Sequence, residues 1–480
     1  MAETALKSTA PVDAGGPAPV AAKLADFALR TRADALPDDV VAHAKLCVLD
    51  ACGIALASST FAFAGQALAG VKTLSEAGAF PLIGYPDQLP LRDSVMMNGL
   101  LVHGLDFDDT HAGSIVHCTA SAWPLTLGAA LKSGASGAEA LATYVVAVEA
   151  DARIGNLAEG RFQQRGHHPT GLVGAFGCTL AAGRLLGLDQ AALTRAQGIV
   201  LSMAAGNLEF LSDGDWTKRL HPGWAGVCAL NAVALASGGF RGPKAAYEGR
   251  YGLYNLHLGP DAQVDAPQML KGLTQEWELR DVAFKPYPAC HFNHAFADCA
   301  IALRENHQLE PEAIESVTAL IHPKQVNVVC EPEAAKRRPS GSYDAQFSIH
   351  YLVAAALTKG RFTLEELTES AYTDPGILAL ADRVTYAPDP NSTYPTHYSG
   401  ELRIRLKSGE EIRHREAINR GARENPLSVD QVKDKFLANA ARAVSPARAE
   451  DIAAAVLNLE SQTSLKPLAE LLRAEHAAPC

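Results

Sequence analysis

Residues 94–111 read Ser-Val-Met-Met-Asn-Gly-Leu-Leu-Val-His-Gly-Leu-Asp-Phe-Asp-Asp-Thr-His, an apolar helix-like run that ends in Asp106, Asp108, Asp109, His103 and His111. His117 follows six residues later, so three carboxylates and three imidazoles fall within fifteen residues of a chain that is only 20% charged. Packing gains nothing from such a cluster, because unpaired buried charge is costly. The helix therefore delivers its C-terminal end to a stretch expected to do chemistry, and the chain is read outward from it.

The surrounding composition favours helices. With 480 residues, two domains are the natural prior. Apolar residues make up 48% and aromatics only 6%, with Ala, Leu and Val leading, which suits closely packed helices. No uninterrupted apolar run reaches the roughly 18 residues that a bilayer requires. Residues 1–19 lack a basic n-region and an apolar h-region, and read as a disordered tail, not a secretory signal. The nine cysteines form no CxxC pair and many sit in apolar stretches, as at Cys47, Cys52, Cys178 and Cys228. That is the pattern of reduced thiols and a cytoplasmic location. A formal net charge of -11 argues against a nucleic-acid surface.

From residue 20 to 279 the pattern predicts helices almost throughout. They include one through Val41–Asp50 opened by Pro37-Asp38-Asp39, and one over Ala140–Ile154 behind a capping box at Ser136 and Glu139. Gly171–Leu186 and Ala191–Ala205 form a pair, and Trp224–Ser237 is a further helix. Near Leu279 the character changes. Ile314–Ile321, Arg383–Tyr386 and Glu401–Leu406 alternate like half-buried strands, and Lys407–Glu410 turns the last of these into Glu411–Arg415. Helices are expected between them over Asp344–Leu357 and Thr363–Tyr372. Residues 280–415 thus read as an α+β domain, and 416–480 return to helix, from Ser428 through Arg473. The fold class expected is mainly α.

Five clusters carry side chains suited to chemistry: the opening stretch, Arg165–Gly171 with His168, Trp216–Gly223 with Lys218, Arg219 and His221, Phe284–His294, and Ser342–Ser348. Singly, each has a plain structural reading. Asp106 and Asp109 would cap a helix, Lys218 and Arg219 would be a solvated pair, the prolines around Tyr287 would stiffen a connection, and Cys290 would be a buried thiol. Asp and His also suit zinc or manganese, but there is no HExxH and no compact ligand spacing, and lysines or arginines accompany three clusters. No P-loop, GxGxxG or GxSxG elbow occurs. What remains is a pocket of His, Asp and Lys without a metal or cofactor, suited to proton abstraction beside a carboxylate.

Taken together, the clusters resemble the MmgE/PrpD family of 2-methylcitrate dehydratases, cis-aconitate decarboxylases and iminodisuccinate epimerases. The resemblance rests on Asn98-Gly99 with His103–Thr110, on His168–Gly174, Lys218–Gly223, Lys285–Pro288 and Glu424–Ser428, and on Lys433–Phe436. It implies a large all-helical domain built from the first and last segments, an inserted α+β lid domain, and a homodimer. It also implies a catalytic set of Asp106, His117, His168 and Lys218, with Thr110, Arg219, Lys285, Cys290 and His291 around the substrate. Cys290 stands where the decarboxylases have a further pocket histidine, with His291 beside it.

The expected activity is that of a cofactor-independent lyase on a small di- or tricarboxylic acid, first a 2-methylcitrate-like dehydration. Epimerisation of a dicarboxylate and decarboxylation of a cis-aconitate-like acid are the alternatives within the family. A metal-dependent hydrolase and a non-catalytic helical scaffold are the readings from other classes. His168 or His117 would be the base, Lys218, Lys285 and Arg219 would hold carboxylates, and Asp106 would orient a histidine.

Overall fold

A computed structural model describes residues 18–474. The expected disordered tail therefore lies, apart from its last two residues, outside the described residues. The molecule is mainly α, and its helical part is built around the opening stretch. Helices α1 (Val20–Arg30) and α2 (Asp38–Ser58) lead to α3 (Leu91–His103), which carries the apolar run. Beyond the acidic loop come α4 (Cys118–Ser133), α5 (Gly137–Asn156), α6 (Pro169–Leu185), α7 (Gln190–Val200) and α8 (His221–Ser237). Helix α8 packs on α3 and α6, and α4 lies between α3 and α6. A Cβ placed on Gly99 would lie 2.6 Å from the Cα of Gly223, so the glycine pair is what lets α3 and α8 touch backbone to backbone. Helix α2 has the length and apolar composition of a membrane span, but most of it is buried inside the protein.

Local signals explain the boundaries. The capping box at Ser136 and Glu139 opens α5 as expected. Pro169 at the first position of α6 sets its start, with His168 as the N-cap. Helix α8 begins at His221, ahead of the expected Trp224, because Pro222 already fits a first turn. Helix α7 stops at Val200, short of the expected Ala205.

In the second part, α9 (His294–His307) and α10 (Ile349–Lys359) pack beside a four-stranded sheet. Its strands are β3 (Ile314–Ile321), β4 (Val384–Pro388), β5 (Gly400–Leu406) and β6 (Glu411–Glu416), in the order β4-β3-β5-β6. Only β3 and β4 run parallel, and β5 and β6 form the expected hairpin. The helix expected over Asp344–Leu357 is broken, because Ser348 accepts the Tyr351 N–H at 3.0 Å and caps a new start. Thr363–Tyr372 likewise divides into two short turns, the first held by a capping box of Thr363 and Glu366.

One feature lies outside the sequence reading. Strand β1 (Thr110–His111) pairs antiparallel with β2 (Val282–Ala283), which joins the acidic loop to the chain just before Lys285. The closing helices α11 (Val429–Ala440) and α12 (Pro446–Leu457) return to the first part, where both pack on α2. There Lys435 reaches Asp50 of α2 at 2.8 Å and the Phe107 carbonyl at 2.8 Å, and lies over the Phe107 ring.

Candidate active site

Helix α3 ends at His103, and the chain then makes a tight passage in which Asp106 takes the left-handed region with φ 49°. A non-glycine residue holds that conformation only when its surroundings determine it. Here two ammonium groups do so: Lys218 Nζ lies 2.5 Å from Asp106 Oδ1, while Lys285 Nζ lies 3.1 Å from that oxygen and 2.9 Å from the Asp106 carbonyl. Burial alone would raise the Asp106 carboxyl, but Lys218 and Lys285 hold it well below the usual range. The pair of lysines comes from sequence positions 112 and 179 residues away from Asp106.

The other two carboxylates turn away from this centre. Asp108 Oδ2 lies 2.7 Å from His103 Nδ1. The Asp109 carboxyl takes the Thr119 N–H at 3.2 Å and the Thr119 hydroxyl, and burial pushes it up to about 7. Asp109 thus ties down the start of α4 from the core: it is buried away from water, and the N-cap of that helix is His117.

The imidazoles converge opposite the lysines. His117 Nδ1 lies 2.7 Å from the Asp109 carbonyl, which can only accept, so this nitrogen carries the proton and Nε2 keeps its lone pair. The His117 backbone N–H donates to Thr170 Oγ1 at 3.1 Å. His168 Nδ1 lies 2.9 Å from His221 Nδ1, and its ring stacks on His103 at 5.5 Å. Burial, then the charges of Lys285 and Lys218, hold His117 well below an ordinary histidine. For His168 the causes are burial, then His221 and His103, then Lys218. Both rings are neutral and able to take a proton.

His103, His117 and His168 each offer a ring nitrogen within 4.8 Å of the others, close enough for a divalent cation. Lys218 and Lys285 lie near enough to lower these rings' pKa values, and the same ammonium groups would repel a metal. A second such group, His111, Glu278 and Asp281, lies near the surface. There the Ser114 N–H donates to His111 Nδ1 at 3.2 Å, so Nε2 bears the proton toward Glu278, 3.2 Å away, and has no lone pair for an ion.

A cavity of about 60 Å³ joins the two parts of the chain. Asp106, Thr110, His117, His168 and Lys218 line it from the helical part; Lys285, Cys290, His291, Phe347 and Tyr398 line it from the other. Eight of the nine expected site residues therefore meet in one place. Arg219 does not line it: its Nε donates to the Gly104 carbonyl at 2.7 Å, and its guanidinium lies over the rings of Phe63 and Tyr343 at 4.2 and 4.5 Å. It braces the loop beneath Asp106.

Several contributors escaped the sequence reading. Gln346 donates to the Leu105 and Pro288 carbonyls, the latter at 3.1 Å, while its own carbonyl accepts the Cys290 N–H at 3.0 Å. One buried amide thus clasps the loops that carry Asp106 and Lys285. Its position in the expected Ser342–Ser348 cluster was the available signal. His221 was visible in its cluster, but its pairing with His168 was not. Asn419 and Tyr398 carried no motif at all.

Known proteins resemble this chain along most of its length. The MmgE/PrpD N-terminal domain matches residues 22–265, and the MmgE/PrpD C-terminal domain matches residues 287–461. The cis-aconitate decarboxylase of Mus musculus is 28% identical over 458 residues, covering 91% of this chain and 90% of the relative. That of Homo sapiens is 28% identical over 457 residues, with 91% of each covered. A cis-aconitate decarboxylase of Aspergillus terreus is 24% identical over 488 residues, covering 97% and 98%.

Proposed function

The chain belongs to the MmgE/PrpD family, and from that premise we propose that it is a lyase acting on a small tricarboxylate through a carbanion formed beside a carboxylate. The observation that carries the reading is the opposition of Lys218 and Lys285 to the neutral rings of His117 and His168 across one cavity. A substrate carboxylate displaces part of the Asp106 contact and takes the ammonium groups. The imidazole Nε2 of His117, with His168 beside it, handles the proton. Charge that develops on the carboxylate as an enolate forms is stabilised by groups already in place.

The same constellation serves more than one outcome. In a dehydration, the base takes the proton and hydroxide departs from the neighbouring carbon. In a decarboxylation, carbon dioxide leaves with its bonding electrons left behind, and the carbanion is then protonated. The sequence led to dehydration of a 2-methylcitrate-like acid. The curated relatives are cis-aconitate decarboxylases along nearly their full length, and this favours decarboxylation of a cis-aconitate-like acid as the second reading. Cys290, whose thiol is raised by burial and by Asp106 and drawn down by Lys218 and Lys285, stays protonated and is available as a proton donor.

The α+β part, residues 280–415, is assigned as a lid. Lys285, Cys290 and His291 line the cavity from this part, so a movement of it would open or close the site to substrate.

The test is incubation in heavy water with cis-aconitate, 2-methylcitrate and their products, followed by NMR. Deuterium entering the carbon beside a carboxylate, with carbon dioxide or an alkene appearing, is the expected result. No exchange and no turnover in the whole panel would overturn the reading.

A further inference from the structure

We propose that Asn419 holds the His291 imidazole as its Nδ1–H tautomer, so that the pocket presents a neutral hydrogen-bond donor to a substrate carboxylate. This rests on the carboxylate-binding reading of the pocket. His291 lines the cavity yet is only 4% exposed, and Asn419 is 3% exposed. The orientation of the Asn419 amide is set from behind, because the Tyr398 backbone N–H donates to Oδ1 at 3.0 Å. The amide nitrogen is therefore the atom 3.0 Å from His291 Nε2. An NH₂ group can only donate, so Nε2 must be the lone-pair nitrogen, and the single proton of the neutral ring sits on Nδ1.

That proton has no acceptor among the described residues. Neighbouring His294, 4.7 Å away between centroids, gives its Nε2–H to the Ala289 carbonyl at 3.0 Å, and its Nδ1 makes no hydrogen bond to His291. Protonating His291 would set two N–H groups against each other at Asn419. Burial and Lys285 oppose it as well, pushing the ring down to about 3. A buried donor left unmade is unfavourable; Nδ1 is covered in this form of the pocket, and a substrate that opens the pocket beside His291 would supply the missing acceptor.

The two sides of the cavity are thus complementary. His117 has already used its Nδ1–H on the Asp109 carbonyl and offers a lone pair. His291 offers a proton it does not give up, since a neutral imidazole polarises an oxygen without transferring hydrogen. Its hydrogen bond strengthens as charge builds on the carboxylate, which places its effect in kcat. Asn419 touches no substrate and is a positioning residue.

The experiment is NMR of the full chain labelled with ¹⁵N-histidine, the His291 signals being identified by their loss in His291→Asn. The wild type is expected to show Nδ1 protonated, and tricarballylate, an unreactive tricarboxylate, should shift that signal. Asn419→Ala should mix the tautomers, and Asn419→Asp should reverse them, because a carboxylate accepts from Nε2–H. Turnover should then fall by about 10²-fold in Asn419→Asp with KM changed little. His291→Asn, whose amide nitrogen replaces Nδ1, should keep more turnover than His291→Ala. A wild-type Nε2–H tautomer overturns the proposal without any variant. The expected tautomer with no shift on tricarballylate overturns the carboxylate role, and, if no carboxylate is turned over either, the functional reading beneath it.

Discussion

At the scale of the residue, burial favours the neutral form of the His117 and His168 rings, the form a base requires. If His117 is the base, His117→Ala should lower kcat by about 10²-fold or more, with a modest change in KM, measured by steady-state kinetics. His168→Ala should do the same only if its pairing with His221 leaves the lone pair toward substrate. Lys218→Ala should raise KM and also lower kcat, because it removes both a carboxylate clamp and part of the stabilisation of the charge that develops there. The pH dependence follows from burial and the two lysines, which lower both rings from the ordinary 6.5. Activity should therefore remain level as pH falls through 6.5, where an ordinary histidine base would be lost. Stability moves the other way. Below about 6.5 the unfolded chain takes up protons that the folded rings refuse, so urea unfolding should show stability falling as pH drops from 7 to 5.5. Asp106 adds to this at lower pH, since its depressed carboxyl stabilises the fold above the ordinary 3.8 and that contribution is lost below it. Asp106, Lys218 and Lys285 were legible because each sits in a short, unusual string of residues. The tautomers of His117 and His291 were not, since they are set by a carbonyl and an amide that only folding brings alongside.

At the scale of the element, the buried Asp50–Lys435 pair joins helices that are 385 residues apart in sequence. Lys435→Met should cost about 3–5 kcal/mol in thermal or urea unfolding, because it strands a buried carboxylate, and Asp50→Asn in the same chain should recover part of the loss. The ends of helices were legible where side chains announce them, as at Ser136 and Glu139 or at Pro169. They were misread where a lone hydroxyl overrides an apolar run, as at Ser348, which opens a new helix inside a pattern that looked continuous. The pairing of Thr110–His111 with Val282–Ala283 was illegible for another reason. Two residues are too few for any alternation to show, and their partners are far away in sequence.

For the whole molecule, the division between helical and α+β parts was visible as a change from helical to alternating periodicity near Leu279, while the close fit of the two around one cavity was not. If residues 280–415 close on substrate, hydrogen exchange near Lys285 and Tyr343 should slow on adding a tricarboxylate, and unchanged exchange at saturation would remove the lid from the account. Sedimentation should give about 100 kDa, twice the 50.7 kDa chain, if the small-residue helices support a two-fold dimer. The link from Lys435 to the Phe107 carbonyl also bears on how the protein is made. The strained passage at Asp106 is braced by a side chain that is made 328 residues after Phe107. A nascent chain can fold its first helices early, but the site must wait until the helix that carries Lys435 has been made. Stalled chains ending before residue 428 should therefore resist proteolysis in their helical core and yet turn over nothing.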